Sequence, residues 1–284
     1  MQIDPAFGLL TTDEAISRAT KQVVASALDA TSSIDPIIGT EFSRAFSFFG
    51  LVVQQHGLLI QRVLADTLAA SERFEILTES PIPITAAALD LLTSDNSEKH
   101  LASIKLKSDS RVVRSAMMDI TVIDQEKRWA GVYDVKRGNG ETTWKSRKPI
   151  ENDLRAARLV LQSHLKKLGH DVDHVDSAVI DYYGRSGFPR NIKINGDELD
   201  RHFGVPITTK INNMTTALCD EVHAGLLQIL EPMIAKLTTS RTKVAVEHAV
   251  EQPARTAPDQ RTRVADILSA RPRGPDQWHT SLAR

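Results

Sequence analysis

Three side chains within residues 117–138, MMDITVIDQEKRWAGVYDVKRG, have the types and spacing of a metal site. Asp119 stands in one apolar run, and Asp134 and Lys136 stand in the next, after a polar turn. Because side chains alternate between the two faces of a strand, Asp134 and Lys136 are predicted to share a face. The two carboxylates and the ammonium group converge if the two runs pair as neighbouring strands.

The same alternation predicts the surroundings of Asp119. A regular strand places Asp119 on one face and the apolar side chains of Met118 and Ile120 on the other. Asp119 is then a lone acid in an apolar strand, where an unpaired buried charge is costly, so solvent or a cation has to compensate it. Magnesium suits such a site because it prefers oxygen ligands and usually binds one or two carboxylates with water and substrate phosphate. Lys136 would then hold or polarise the attacking water.

These residues resemble the PD-(D/E)xK nuclease superfamily in the form D-x14-D-x-K, with Asp119 as the first acid, Asp134 as the second and Lys136 as the lysine. The resemblance covers residues 40–183 and departs from the pattern at Met118, where many members have proline. It implies a mixed central sheet flanked by helices and a divalent metal that supports phosphodiester hydrolysis. The expected cofactor is Mg2+, with Mn2+ as a substitute. The implied metal ligands are Asp119, Asp134 and the carbonyl group of Val135.

The resemblance also assigns roles to two glutamines. In the superfamily, the helix before the sheet often carries a glutamate in a G-x-x-x-E setting, and the matching stretch here, residues 57–61, ends in Gln61. Gln61 is a candidate partner of the site that supplies no charge. His56, on the same predicted helix, is expected to be a polar surface residue. In several branches a later helix carries a glutamine that faces the catalytic lysine, and Gln162 resembles it, which makes Gln162 a candidate catalytic residue.

Hydrophobic periodicity predicts the helices and strands of the chain. Apolar residues recur at helical spacing over residues 41–71 and again over residues 149–168, where Pro149 stands at a favoured first-turn position. Strands are predicted at residues 72–84, 100–107, 117–123, 129–136 and 175–183. The predicted fold class is α/β: a restriction-endonuclease-like core of the form αβββαβ, with a mixed central sheet flanked by helices and with additional N- and C-terminal helices.

The rest of the chain divides around that core. Residues 1–39 are predicted to form an N-terminal helical extension, and residues 40–205 the nuclease-like core. Residues 206–250 contain long amphipathic helices, with a kink at Pro232, that pack on the core or at a dimer interface. Residues 251–284 are rich in proline and arginine and poor in apolar residues, so they are predicted to be a disordered tail.

Positive charge is concentrated next to the predicted site. The segment after Lys136, RGNGETTWKSRK, is predicted to be a flexible basic loop whose Lys and Arg side chains contact a phosphate backbone. The helix that follows presents further arginines. For each of these residues a solvated surface position is the alternative. The candidate DNA-binding residues are Arg137, Lys145, Arg147, Lys148, Arg155 and Arg158.

Composition limits the class of protein. The 284 residues carry a formal net charge of -1, which gives no general signature of a polyanion binder. A single cysteine, Cys219, excludes a disulfide framework and a multi-cysteine zinc site. The N-terminus lacks the features of a secretion signal, and no run reaches the ~18 apolar residues of a membrane span. We therefore expect a cytoplasmic protein with no membrane partner.

Three functions are compatible with the pattern. The first is a magnesium-dependent DNA endonuclease of type II restriction type, which acts as a homodimer because a symmetric site has two strands to cut. The second is a non-catalytic DNA-binding or assembly protein with a nuclease-like fold, favoured by glutamine at position 61 and by the near-neutral charge. The third is a DNA repair or recombination nuclease, which shares the chemistry and differs in its substrate. The sequence does not separate restriction from repair.

Overall fold

Five strands form one mixed sheet in the computed structural model, which describes residues 9–31, 33–94, 96 and 98–250. The strands are β1 (Phe74–Thr85), β2 (Val112–Asp124), β3 (Trp129–Lys136), β4 (His174–Asp181) and β5 (Lys193–Asn195). They lie side by side in chain order. β1, β2 and β3 form an antiparallel meander, whereas β4 is parallel to β3 and β5 is parallel to β4. The ends of β3 and β4 therefore meet at the same edge of the sheet.

Helices cover both faces of this sheet. Over the described residues they are α1 (Asp13–Asp29), α2 (Gly39–Ala69), α3 (Ala86–Thr93), α4 (Glu98–Ser103), α5 (Trp144–Lys167), α6 (Leu199–Phe203) and α7 (Ile207–Val250). α1 begins where the Thr12 hydroxyl accepts a hydrogen bond from the N–H of Ala15, which is a common N-cap arrangement. No helix in the described part of the chain is both long enough and apolar enough to cross a membrane.

Contacts divide the chain into two units, Met1–Met233 and Ile234–Arg284. In the first unit, α7 contributes apolar side chains such as Ile211 and Met214 to the core. α7 continues through Pro232, where the sequence predicted a kink, and the described residues of the second unit extend it as far as Val250. The predicted tail, residues 251–284, lies outside the described residues.

Two hydrophobic cores lie on opposite faces of the sheet. The face that we call the α2 face carries α1, α2, α6 and the first part of α7, with Tyr133 and Val135 from β3. The other, the α5 face, carries α3 and α5, with Val132 from β3. β3 thus alternates regularly, and its even-numbered residues Asp134 and Lys136 fall on the α5 face, on one side as the sequence predicts.

The coarse fold class is confirmed, because the chain is α/β with a mixed five-stranded sheet flanked by helices. The strand predicted at residues 100–107 is wrong. α4 occupies its first part, and the remainder packs against α5, where the N–H of Leu106 donates to the carbonyl of Leu159 at 2.7 Å. Ile104 and Leu106 alternate because they reach the core of the α5 face. β1 therefore pairs directly with β2.

α5 begins earlier than the sequence predicts. It was expected to start at Pro149, but it starts at Trp144, because the N–H groups of Ser146 and Arg147 already donate to the carbonyl of Thr143 at 3.0 and 2.9 Å. Pro149 consequently lies inside the helix. The second half of the predicted flexible basic loop is therefore the start of α5.

Candidate active site

The two candidate acids lie on neighbouring strands at the same level of the sheet. β2 and β3 are paired as far as Ile120 opposite Tyr133, and Asp119 and Asp134 are the next residues along. The Asp119 carboxylate reaches across to β3, where its Oδ2 accepts a hydrogen bond of 2.7 Å from the N–H of Val135. Because that N–H belongs to the peptide bond that follows Asp134, the structure brings the two acids together.

Lys136 completes the group from the same strand as Asp134. Its Nζ lies 2.7 Å from Oδ1 and 2.9 Å from Oδ2 of Asp134. Only the contact with Oδ2 has hydrogen-bond geometry, and Oδ1 is a buried oxygen that accepts no hydrogen bond within the described part of the chain. The side chains of Asp134 and Lys136 remain 19% and 33% exposed, so an ion or a small ligand can reach them from solvent.

β2 changes faces at Asp119, and the regular alternation predicted around this residue is wrong. Met118 packs into the core on the α5 face, but Ile120, two residues later, packs into the core on the α2 face. A regular strand would put both on one face. β1 changes faces at the matching place, with Ile76 on the α2 face and Ile82 on the α5 face. Asp119 therefore lies at a break in the pleat of two paired strands.

Glu79 lies at the centre of this break. Its φ of 48° is in the left-handed region, which few residues other than glycine adopt. It stands between Thr78 and Ser80, whose partners in β2 flank Asp119. The offset between the two strands is the same on both sides, so the distortion turns both strands without inserting a residue. Across this break, the negative charge of Glu79 raises the pKa of Asp119.

The surroundings of Asp119 disfavour its negative charge. Burial, and after it the charge of Asp134, raise the pKa of Asp119. The hydrogen bond from Val135 and the charge of Lys136 act in the opposite direction without cancelling the increase, to which the exposed carboxylate of Glu79 also contributes. The positive charge of Lys136 does not fully offset these effects, and a divalent cation would supply further positive charge.

The site offers magnesium the oxygen ligands that it prefers, but only two carboxylates supply them among the described residues. The carboxylates of Asp119 and Asp134 are hard oxygen ligands, and Mg2+ is often held by one or two carboxylates. Among the residues that the structure describes, no group of three or more His, Cys, Asp or Glu side chains is arranged to hold a metal, so Glu79 is not a third ligand in this geometry. Gln61 reaches the site from α2, where its Nε2 donates to the Asp119 carbonyl at 3.3 Å.

The structure does not bring Gln162, predicted as a catalytic residue, to Lys136. Its Nε2 donates to the carbonyl of Val172 at 2.6 Å, just before β4 begins. β3 begins beside that end of β4, at Trp129. Since each strand residue adds about 3.3 Å, Lys136 lies roughly 23 Å further along the sheet. The helix runs antiparallel to β3, which takes its second half away from the candidate site.

Most of the candidate DNA-binding residues lie on α5 rather than on a loop. Arg147 donates to the Gly187 carbonyl at 2.6 Å, and Lys148 lies 3.7 Å from the buried Glu151, so both hold the start of α5 in place. Arg158 donates to the carbonyl of Val175 near the start of β4, away from Lys136. Of the others, Arg137 is half-buried directly after Lys136, Lys145 is exposed, and Arg155 is half-buried in α5.

Several residues around the site were not anticipated from the sequence. His56, expected on the surface, is buried in α2. Asp181 is fully buried at the end of β4, paired with Lys136 in the strand register, and accepts a hydrogen bond from the N–H of Ser186. An acid at the end of an apolar strand was the available signal for Asp181. Glu79 had no such signal, because the extra strand predicted at residues 100–107 separated β1 from β2.

A scan against protein-family models, a search of curated proteins and a search of solved structures found no match to this chain. Its function therefore has to be inferred from the chemistry of the site. That chemistry consists of two adjoining carboxylates, a lysine on one of them and a half-buried arginine next in sequence.

Proposed function

We propose that this chain is a magnesium-dependent DNA endonuclease that hydrolyses phosphodiester bonds. The observation that carries the proposal is the 2.7 Å hydrogen bond from the N–H of Val135 to Asp119, because it joins the two acid-bearing strands between Asp134 and Lys136. Two carboxylates and an ammonium group thus adjoin where solvent reaches them. These are groups that hold a divalent cation and an attacking water next to a phosphate.

The order of elements supports the same proposal. Apart from the short helices α3 and α4, the elements from α2 to β4 follow as α-β-β-β-α-β. The first three strands are antiparallel and the fourth is parallel to the third. We propose on this basis that residues 40–205 form a restriction-endonuclease-like core with its two acids on adjacent strands.

Each side chain has a separate part in the proposed reaction. Asp119 and Asp134, with the Val135 carbonyl, would hold Mg2+ or Mn2+, which when bound lowers the pKa of a coordinated water and offsets negative charge on the phosphate. Lys136 holds the attacking water and limits the repulsion between the two carboxylates. Gln61 holds the main chain of Asp119 in place through its hydrogen bond.

Cleavage of supercoiled plasmid DNA by the full chain tests this function. We expect nicking in Mg2+ that stops in EDTA and falls by at least about 100-fold in Asp134→Asn and in Lys136→Ala, the usual scale for loss of an acid–base or electrostatic group. Asp90→Asn and Lys21→Ala remove the same charges from exposed positions and serve as controls. Equal cleavage by all five proteins, at matched folding by circular dichroism, would show that these residues are not the active site.

The biological substrate is the second part of the proposal. A homodimer of restriction type cuts both strands of a symmetric duplex site, whereas a repair or recombination nuclease uses the same residues on branched or single-stranded DNA. Sedimentation and a panel of duplex, forked and single-stranded substrates separate the two. We propose the restriction-type dimer, for which duplex DNA is the preferred substrate.

A non-catalytic DNA-binding or assembly protein is the second candidate, and one observation favours it. Lys136 already lies against both carboxylate oxygens of Asp134, so that acid is neutralised without a metal. A protein of this kind binds DNA equally with Mg2+ and with EDTA. DNA binding without nicking in any divalent metal would support this candidate over the nuclease.

A further inference from the structure

Arg137, the residue after Lys136, is held in place by His56 and Tyr183. Its Nε donates to Nδ1 of His56 at 2.9 Å, and its guanidinium carbon lies 5.5 Å from the centre of the Tyr183 ring, within cation–π range. The side chain is half-buried. Within the described part of the chain it forms no ion pair, whereas Arg73 contacts a buried aspartate at 2.6 Å. A half-buried cation without an anion is costly unless a ligand supplies one.

His56 is arranged to hold Arg137. Its Nε2 lies 3.0 Å from the Thr215 hydroxyl, which in turn donates to the Ile211 carbonyl at 2.9 Å. Since the hydroxyl proton is used there, Nε2 of His56 is the donor to Thr215, and Nδ1 keeps its lone pair for Arg137. Burial, and after it the charge of Arg137, lower the pKa of His56 to about 4. The ring is therefore neutral at neutral pH.

The remaining donors of Arg137 match a phosphate. A guanidinium has five N–H donors, and Nε is the donor that the described protein engages here. The two Nη nitrogens form a planar fork that binds two phosphate oxygens at once. We propose that Arg137 binds the backbone phosphate next to the one that is cleaved, with His56 as its positioning residue and the Tyr183 ring supporting the guanidinium plane.

The strand places Arg137 one step from the candidate active site. Successive side chains of a strand point to opposite faces, so Lys136 lies on the α5 face and Arg137 turns to His56 on the α2 face. The main chain is held at this point, because the Arg137 carbonyl accepts a hydrogen bond from the N–H of Tyr183 at 3.1 Å. A phosphodiester chain that crosses the end of β3 meets both residues. The inference rests on the proposed function, since it requires DNA at Lys136.

DNA binding in EDTA tests this site separately from cleavage. Fluorescence anisotropy of a short labelled duplex is measured with the full chain over a series of NaCl concentrations. We expect Arg137→Gln to weaken binding by at least about tenfold and to reduce the slope of log affinity against log salt by about one phosphate contact. Arg137→Lys keeps the charge and loses the fork, so it weakens binding at a nearly unchanged slope. Arg18→Gln, at an exposed position on α1, is the charge-matched control and keeps both values.

Variants of His56 test the positioning role. His56→Phe removes the acceptor of Arg137 and is expected to weaken binding, whereas His56→Gln offers an amide oxygen to Arg137 and is expected to restore it. Equal effects of His56→Phe and His56→Gln would overturn that role. Identical affinity and slope in Arg137→Gln and Arg18→Gln, or no DNA binding by the wild type, would overturn the phosphate site. If these binding effects hold while plasmid cleavage in Mg2+ is absent, Arg137 binds a DNA phosphate that does not adjoin a cleaved one, and the nuclease proposal fails.

Discussion

Replacing Gly138 by alanine tests how the ends of β3 and β4 are joined beside the site. Gly138 has a φ of +68°, and a Cβ built on it would overlap Oδ1 of Asp181. Asp181 is fully buried and holds the turn after β4, where it accepts hydrogen bonds from the N–H of Gly184 at 3.1 Å and of Ser186 at 3.0 Å. Alanine at position 138 therefore displaces either the main chain or this carboxylate.

Two contributions determine the expected loss of stability in Gly138→Ala. The left-handed conformation costs a residue with a Cβ about 1–2 kcal/mol. Displacing Asp181 gives up at least one hydrogen bond to a charged group, which contributes about 1.5–3 kcal/mol. The sum is about 2.5–5 kcal/mol, and in a chain of this size each kcal/mol lowers the Tm by about 2–4 °C. We expect the Tm to fall by about 5–20 °C.

Gly140→Ala is the matched control for this prediction, because among the described residues no atom beyond its two chain neighbours lies within 4 Å of its added Cβ. Thermal and urea unfolding followed by circular dichroism compare the variants, and the control should stay within about 0.5 kcal/mol of the wild type. In an Asp181→Ala background the collision is removed, so Gly138→Ala should cost the conformational contribution alone. Equal stability of Gly138→Ala and Gly140→Ala would refute the left-handed turn and its contact with Asp181.

Three other substitutions have distinct expected outcomes. Arg73→Met leaves Asp124 as a buried carboxylate without its cation, so urea unfolding should show a loss of about 3 kcal/mol. Burial alone would raise the pKa of Asp124, but its hydrogen bonds, including those from Arg73, lower it. The loss of stability in Arg73→Met is therefore full above the ordinary carboxyl pKa and shrinks as the pH falls through the lowered pKa of Asp124. Asp119→Asn should make the metal-free protein more stable at neutral pH, because burial and a neighbouring acid raise the pKa of Asp119, so that its ionisation opposes folding. In EDTA this gain in stability should vanish as the pH falls to the ordinary carboxyl pKa of 3.8. A gain that persists at that pH would contradict the raised pKa as its cause. Gln162→Ala should leave plasmid cleavage unchanged because its partner lies at the far end of the sheet, and a loss as large as that of Lys136→Ala would contradict this placement.

The parts of the site that depend on local pattern could be predicted from the sequence. β3 alternates without interruption between the two cores, so Asp134 and Lys136 share a face as period-two spacing requires. Asp119 is visible in the sequence as a lone acid in an apolar run, and recognising it does not require knowing which strands lie beside it. These are properties of a few consecutive residues.

The parts that depend on distant contacts could not be predicted. Residues 104–107 alternate like a strand although they pack on α5, because a segment lying on an apolar surface shows the same pattern as one in a sheet. That error hid the pairing of β1 with β2, and with it the break at Glu79 that turns Asp119. The sequence predicts a surface position for His56 because nothing local indicates its partners, Arg137 and Thr215, which are far away in the chain.

Binding of Mn2+ to the full chain, measured by isothermal titration calorimetry, is the most direct test that Asp119 and Asp134 hold a divalent cation beside Lys136. We predict one bound cation per chain in the wild type and in Asp90→Asn, whose exposed carboxylate is the matched control. The same titration should show no binding in Asp119→Asn or in Asp134→Asn. Equal binding by all four proteins, or none by the wild type, would contradict the proposed metal site.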